Sequence, residues 1–138
     1  MNPMTSVSLL YFFTFFAFAC QGRFLAIFYA EFGLRNDHIG ILLATGSFVG
    51  LVSTPIWTRV CDHVRGKRTV LLTSIVAASA AIISYTVPWT SLGAALGLLP
   101  QTTGLFAWMF VVRCVYSFFF TPVGSILDAI AGETMIGI

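Results

Sequence analysis

The chain is 138 residues long, 58% hydrophobic and 9% charged, with a mean hydropathy of +0.94. A soluble domain carries about a quarter charged residues, so this composition excludes a water-facing globule. Seven Lys and Arg against five Asp and Glu leave a net charge of +2, most of it in one loop, and nucleic-acid binding needs a broader basic face.

Membrane-spanning helices need roughly 20 apolar residues at 1.5 Å per residue, and the sequence offers four such runs. Met1 to Gly22 holds no charge, so the basic leading segment of a secretory signal is missing, and the apolar run continues past Arg23 to Ala30. It reads as span one, about residues 6–33, broken only by Gln21 and Arg23. EFGLRNDH then interrupts it, with Gly33 suited to ending a helix and Asp37 to capping the next. Span two, about 38–58, carries Gly46 and Gly50 as a GxxxG pair that lets a neighbouring helix approach closely. Pro55 either kinks or ends it.

WTRVCDHVRGKR, from Trp57 to Arg68, packs Arg59, Arg65, Lys67 and Arg68 with Asp62 and His63 between two uncharged runs. In water such a cluster is an ordinary surface loop; between two lipid-length runs it is a cytoplasmic one, because Lys and Arg accumulate on that side. Thr69 to Val112 is 44 residues without a charge. As one helix it would be about 66 Å long, twice a hydrocarbon core, so it must turn near Pro88, Gly93, Gly97 and Pro100. Span three is then about 69–87, with Ala77, Ala78, Ser79, Ala80 and Ala81 as a small-residue packing surface. Trp89 and Trp108 suit an interfacial belt, and Trp108 could equally face lipid. Span four is about 104–126, with Arg113 inside and Pro122 as a kink. The expected fold is all-α, a polytopic membrane protein with both termini cytoplasmic.

No HExxH, GxSxG or phosphate-binding glycine loop occurs, and no enzymatic activity or cofactor is expected. Cys20, Cys61 and Cys114 are odd in number and widely spaced, which suggests neither a disulfide framework nor a metal site. The chemistry lies with charges inside spans. An Arg at mid-bilayer costs about 2.5–3.5 kcal/mol even on the lenient insertion scale, so Arg113 should face other helices or a watery cavity. Arg23 either does the same, snorkels to the interface, or pairs with Glu31 two turns away. Asp128 lies beyond span four, near the cytoplasmic face.

The order of span, short loop, span and basic loop resembles the start of a major facilitator superfamily transporter. That family's loop between spans two and three runs, roughly, small residue, three residues, Asp, basic residue, then Gly and two basic residues. Thr58, Asp62 and Gly66-Lys67-Arg68 follow it, with Thr58 for the usual Gly and one extra residue before Gly66. Arg113, Tyr116 and Ser117 are similar to the family's span-four pattern. FLAIFYAEFGLRNDHIGILLA and PIWTRVCDHVRGKR look most like the branch of lactose permease and the nucleoside–proton symporters. The resemblance implies a secondary transporter moving a small polar solute, possible proton coupling, and a gating loop of Asp62, Arg65, Gly66, Lys67 and Arg68. It implies Arg113 in or beside a cavity, with Arg23, Gln21, Tyr116 and Asp128 as further cavity or coupling candidates.

Full members are similar to twelve spans built from inverted three-helix repeats, so residues 1–138 would form a partial domain. Its partners would be lipid, missing carboxy-terminal helices or another subunit, and a small-molecule substrate. Two alternatives are a four-helix exporter working as an oligomer and a non-transporting assembly or scaffold subunit. The small multidrug exporters need a carboxylate near the middle of span one, where this sequence has none before Glu31.

The charge asymmetry of the loops generates a direct test. In a cysteine-free background, a cysteine at position 66 should resist an impermeant thiol reagent applied outside intact cells and react once the membrane is opened. Labelling from outside would reverse the topology.

Overall fold

The computed structural model describes residues 3–64, 66–86 and 101–136. Among these the chain is helical without strands: α1 (Pro3–Glu31), α2 (Asn36–His63), α3 (Lys67–Ser84), α4 (Gln101–Phe120) and α5 (Pro122–Ile136). Four segments are long and apolar enough to cross a membrane, the last formed by α4 and α5 together across Thr103–Glu133. The expected turn around Pro88 to Pro100, with Trp89, lies outside the described residues, as does Arg65.

α1 ends where its glycine permits a left-handed residue. Gly33 has φ 78°, its N–H donates to the Ala30 carbonyl at 3.0 Å, and the Leu34 N–H donates to Tyr29 at 3.3 Å. This Schellman arrangement satisfies carbonyls that the helix end would leave bare. Asp37 acts from inside the first turn and not from the N-cap position. Arg35 is the N-cap, with no side-chain cap bond, and Asp37 lies in the first turn. There its carboxylate still suits the positive end of the helix dipole, and it pairs with Arg35 at 3.3 Å.

The basic cluster is mostly helix and not loop. α2 runs through Pro55 to His63, and α3 begins at Lys67, so only Val64 to Gly66 separate them. A proline inside a helix removes one backbone bond, and the ladder resumes beyond it. Here Thr54 Oγ1 donates to the Gly50 carbonyl at 2.8 Å and Thr58 Oγ1 to the Thr54 carbonyl at 2.9 Å across that stretch. Asp62 therefore sits in the last turn of α2.

α4 is the centre of the bundle and packs most extensively against α3 and α2. One apolar core, with Tyr29, Leu42, Ala78, Ala81, Met109 and Val112, lies towards the α1–α2 turn. A second, with Val70, Leu71, Val123, Ile126 and Leu127, lies towards the α2–α3 turn. The expected small-residue surface of α3 narrows to a stripe. Ser74, Ala78 and Ala81 are buried at helical spacing, while Ser79 and Ala80 are exposed. α1 is the least enclosed helix, and Phe12, Phe16 and Phe24 are each more than half exposed. Such a face is tolerable against lipid or further apolar protein, not against water.

The last crossing breaks at Thr121. Pro122 has no N–H to give the Phe118 carbonyl, four residues back. Trp57 Nε1 of α2 donates to that carbonyl instead, at 2.9 Å, with its ring against Phe118 and Phe119. In lipid a freed backbone carbonyl needs such a partner, which a neighbouring helix supplies here. Pro as the first residue of α5 suits its fixed φ and missing donor.

Trp57→Phe keeps an aromatic ring and removes the donor. It should destabilise the protein by about 1–2 kcal/mol, the cost of an unmet buried carbonyl, read as a lower Tm in detergent.

Candidate functional site

Arg113 is carried into the bundle by α4, the helix enclosed on two sides by α2 and α3. Its guanidinium lies directly over Gly46. A methyl group at residue 46 would come within 2.9 Å of both Cζ and Nε of Arg113. Gly50, one turn on, faces the Thr121 side chain, where a Cβ would stand 3.2 Å from Oγ1. The GxxxG pair of α2 thus makes room for an arginine and for the break after α4, and the buried Ser53 continues that small face. The Tyr116 ring lies 5.7 Å from Arg113 Cζ, within cation–π range.

These groups open onto a cavity of about 590 Å³ between α1, α2, α4 and α5. Gln21, Arg113, Tyr116 and Asp128, all cavity candidates from the sequence, line it together, and Ser47 adds a hydroxyl from α2. For Arg23 only the backbone is placed, within α1. Much of the remaining wall is apolar, including Phe15, Phe18, Leu51 and Phe120. Two side-chain bonds cross it. Tyr116 Oη donates to Gln21 Oε1, linking α4 to α1, and Tyr11 Oη donates to the Asp128 carboxylate, linking α1 to α5.

Arg113 has no acidic partner. All five acids of the chain are among the described residues, where the ion pairs are Arg35–Asp37 and Lys67–Glu133. Arg113 Nε is buried without a hydrogen-bond partner. Asp128 shares the cavity, and its carboxylate accepts from Tyr11.

The residues expected in the gating loop separate in space. Asp62 and Lys67 line a smaller cavity of about 120 Å³ beside Trp57 and Pro122, between α2 and α5. Gly66 is the N-cap of α3, and Arg68 lies at a crevice beside the start of α1. Lys67 forms an ion pair with Glu133 near the end of α5. Sequence reasoning missed Glu133 and Tyr11. The signal for Glu133 was its sign and side: four crossings place it at the same face as the basic cluster. Tyr11 carried no comparable signal. A further pair, Tyr29 Oη and Tyr85 Oη at 2.8 Å, is buried at the other end of α1. Among the described residues no group of three or more His, Cys, Asp or Glu could hold a metal ion.

A family model described as MFS_1 like family matches residues 4–135. No curated protein and no solved structure matches the chain.

The contact at Gly46 yields a paired test. Gly46→Ala should lower the Tm in detergent by an amount equivalent to about 1–3 kcal/mol, because the methyl group displaces the guanidinium. Gly40→Ala, where a Cβ meets nothing within 4 Å, should be neutral or slightly stabilising, since alanine favours the helix. Equal responses would mean that Arg113 moves aside without cost.

Proposed function

The chain belongs to the MFS_1 like family, and on that premise we propose that it forms part of a secondary transporter that moves a small polar solute by alternating access. The family match supports a transporter-type protein, and four apolar crossings support a multi-pass membrane location. The observation that carries the solute path is the cavity holding Arg113, Gln21 and Tyr116 at membrane depth. Intramembrane charge is costly and is retained where it meets substrate, ion or water. Transporters of this kind place substrate near the bilayer midplane at the interface of helical repeats, so further helices would complete the wall.

The gate belongs to the end where α2, α3 and α5 converge. Lys67 and Glu133 tie α3 to α5 there, and Asp62 lies at the adjoining crevice. Opening the cavity on that side would separate these groups, so they bias one of two states. Proton symport is the proposed coupling mode, as in the lactose permease and nucleoside symporter branch that the sequence resembles. Asp128, the carboxylate lining the cavity that holds Arg113, is the proposed proton carrier, and the basic end is proposed to be cytoplasmic.

Two measurements test this. In a background lacking Cys20, Cys61 and Cys114, Ser47→Cys should react with an impermeant maleimide in proteoliposomes, whereas Phe48→Cys, 69% exposed on the outer surface, should not. Failure of Ser47→Cys to react from either side would overturn an aqueous path. Asp62→Asn should insert normally and shift the ratio of inward to outward labelling at position 47 by about tenfold, equivalent to ~1.4 kcal/mol. An unchanged ratio would leave Asp62 as a solvated surface acid.

A further inference from the structure

We infer that the cavity beside Arg113 binds a small organic anion, a carboxylate or similar oxyanion on a partly apolar body, with Arg113 as its anchor. This deepens the transport reading above and rests on it. The first support is the unmatched charge. Glu31 and Asp37 lie near the α1–α2 turn, Asp62 and Glu133 at the opposite end, and none of them pairs with Arg113. Asp128 lies in the cavity, but it also makes no ion pair with Arg113 and accepts from Tyr11. Among the described residues the guanidinium is therefore a fixed cation with no carboxylate partner.

The second support is geometry. Gly46 lies against the guanidinium on the α2 side and the Tyr116 ring lies nearby on α4, so Arg113 is positioned before anything binds. A guanidinium offers forked donors that match two oxygens of a carboxylate or phosphate, and it cannot be deprotonated in a protein. Nε, the donor nearest the chain, has no partner.

The third support is the rest of the wall. Phe15, Phe18, Leu51 and Phe120 suit an apolar or aromatic body. A polyhydroxylated neutral solute would leave many of its hydroxyls unmatched against such a wall, at a desolvation cost. A simple cation would be repelled by Arg113.

The test uses the protein in proteoliposomes and the Ser47→Cys label, read as protection by added solute at neutral pH. The probes are matched acid and amide pairs: lactate and lactamide, benzoate and benzamide, indole-3-acetate and indole-3-acetamide. At least one carboxylate should protect at a concentration about tenfold or more below its amide. Arg113→Gln should abolish that preference while leaving unprotected labelling in place, and Arg113→Lys should restore it only in part. Equal protection by acid and amide in every pair, or a preference that survives in Arg113→Gln, would overturn the inference. The comparison within each pair is made with Arg113 present, so it holds even where a variant fails to insert. No labelling at position 47 would sink the transport reading itself; labelling without acid preference would sink only the anion.

Discussion

The guanidinium of Arg113 occupies space that only a glycine at residue 46 leaves open, and the middle of the bundle is arranged around that contact. An arginine there cannot face lipid cheaply. It must point inward, which requires a neighbouring helix with no side chain at the facing position. α2 meets this with Gly46 and extends the small face through Gly50 and Ser53, so α2 and α4 pack closely along the same stripe. A cavity adjoins the arginine head, and Phe15 and Phe18 of α1 line another side of it. One charged residue thus shapes a helix interface and the chemistry of the cavity beside it.

A second constraint acts at the end of α4. Without water, each backbone carbonyl released by a proline must find a donor. Trp57 meets that need at Phe118, binding α2 to the break between α4 and α5. Beyond the break, α5 carries Asp128 to Tyr11 of α1 and Glu133 to Lys67 of α3.

α1 is held differently. Its outer face is largely bare, and its polar attachments come from Tyr11, Gln21 and Tyr29 to three other segments. These positions are about 15 Å and 12 Å apart along the helix. Interhelical hydrogen bonds in membranes are worth about 0.6 kcal/mol each on average, so a few of them position a helix without locking it. α1 is thus attached more loosely than the α2–α3–α4 core, whose helices pack most extensively.

The sequence alone determined the class of the protein, because hydropathy and charge scarcity act over whole segments and need no partner. It also marked Arg113 as inward-facing, since the burial cost belongs to the residue itself. Gly33 was legible as a helix end for the same local reason. The boundary of α2 was not: charges at 57–68 looked like loop, yet charged side chains and a single proline do not stop a helix whose next turn can still bond. Which side chains meet was decided by tertiary structure alone. Gly46 was readable as a packing residue but not as the seat of Arg113, and the Tyr11–Asp128 and Lys67–Glu133 links join residues 117 and 66 positions apart. Such pairings depend on helix rotation and on the break at Pro122. Local pattern carries no record of either, because both are set by the neighbours a helix finds after it has formed.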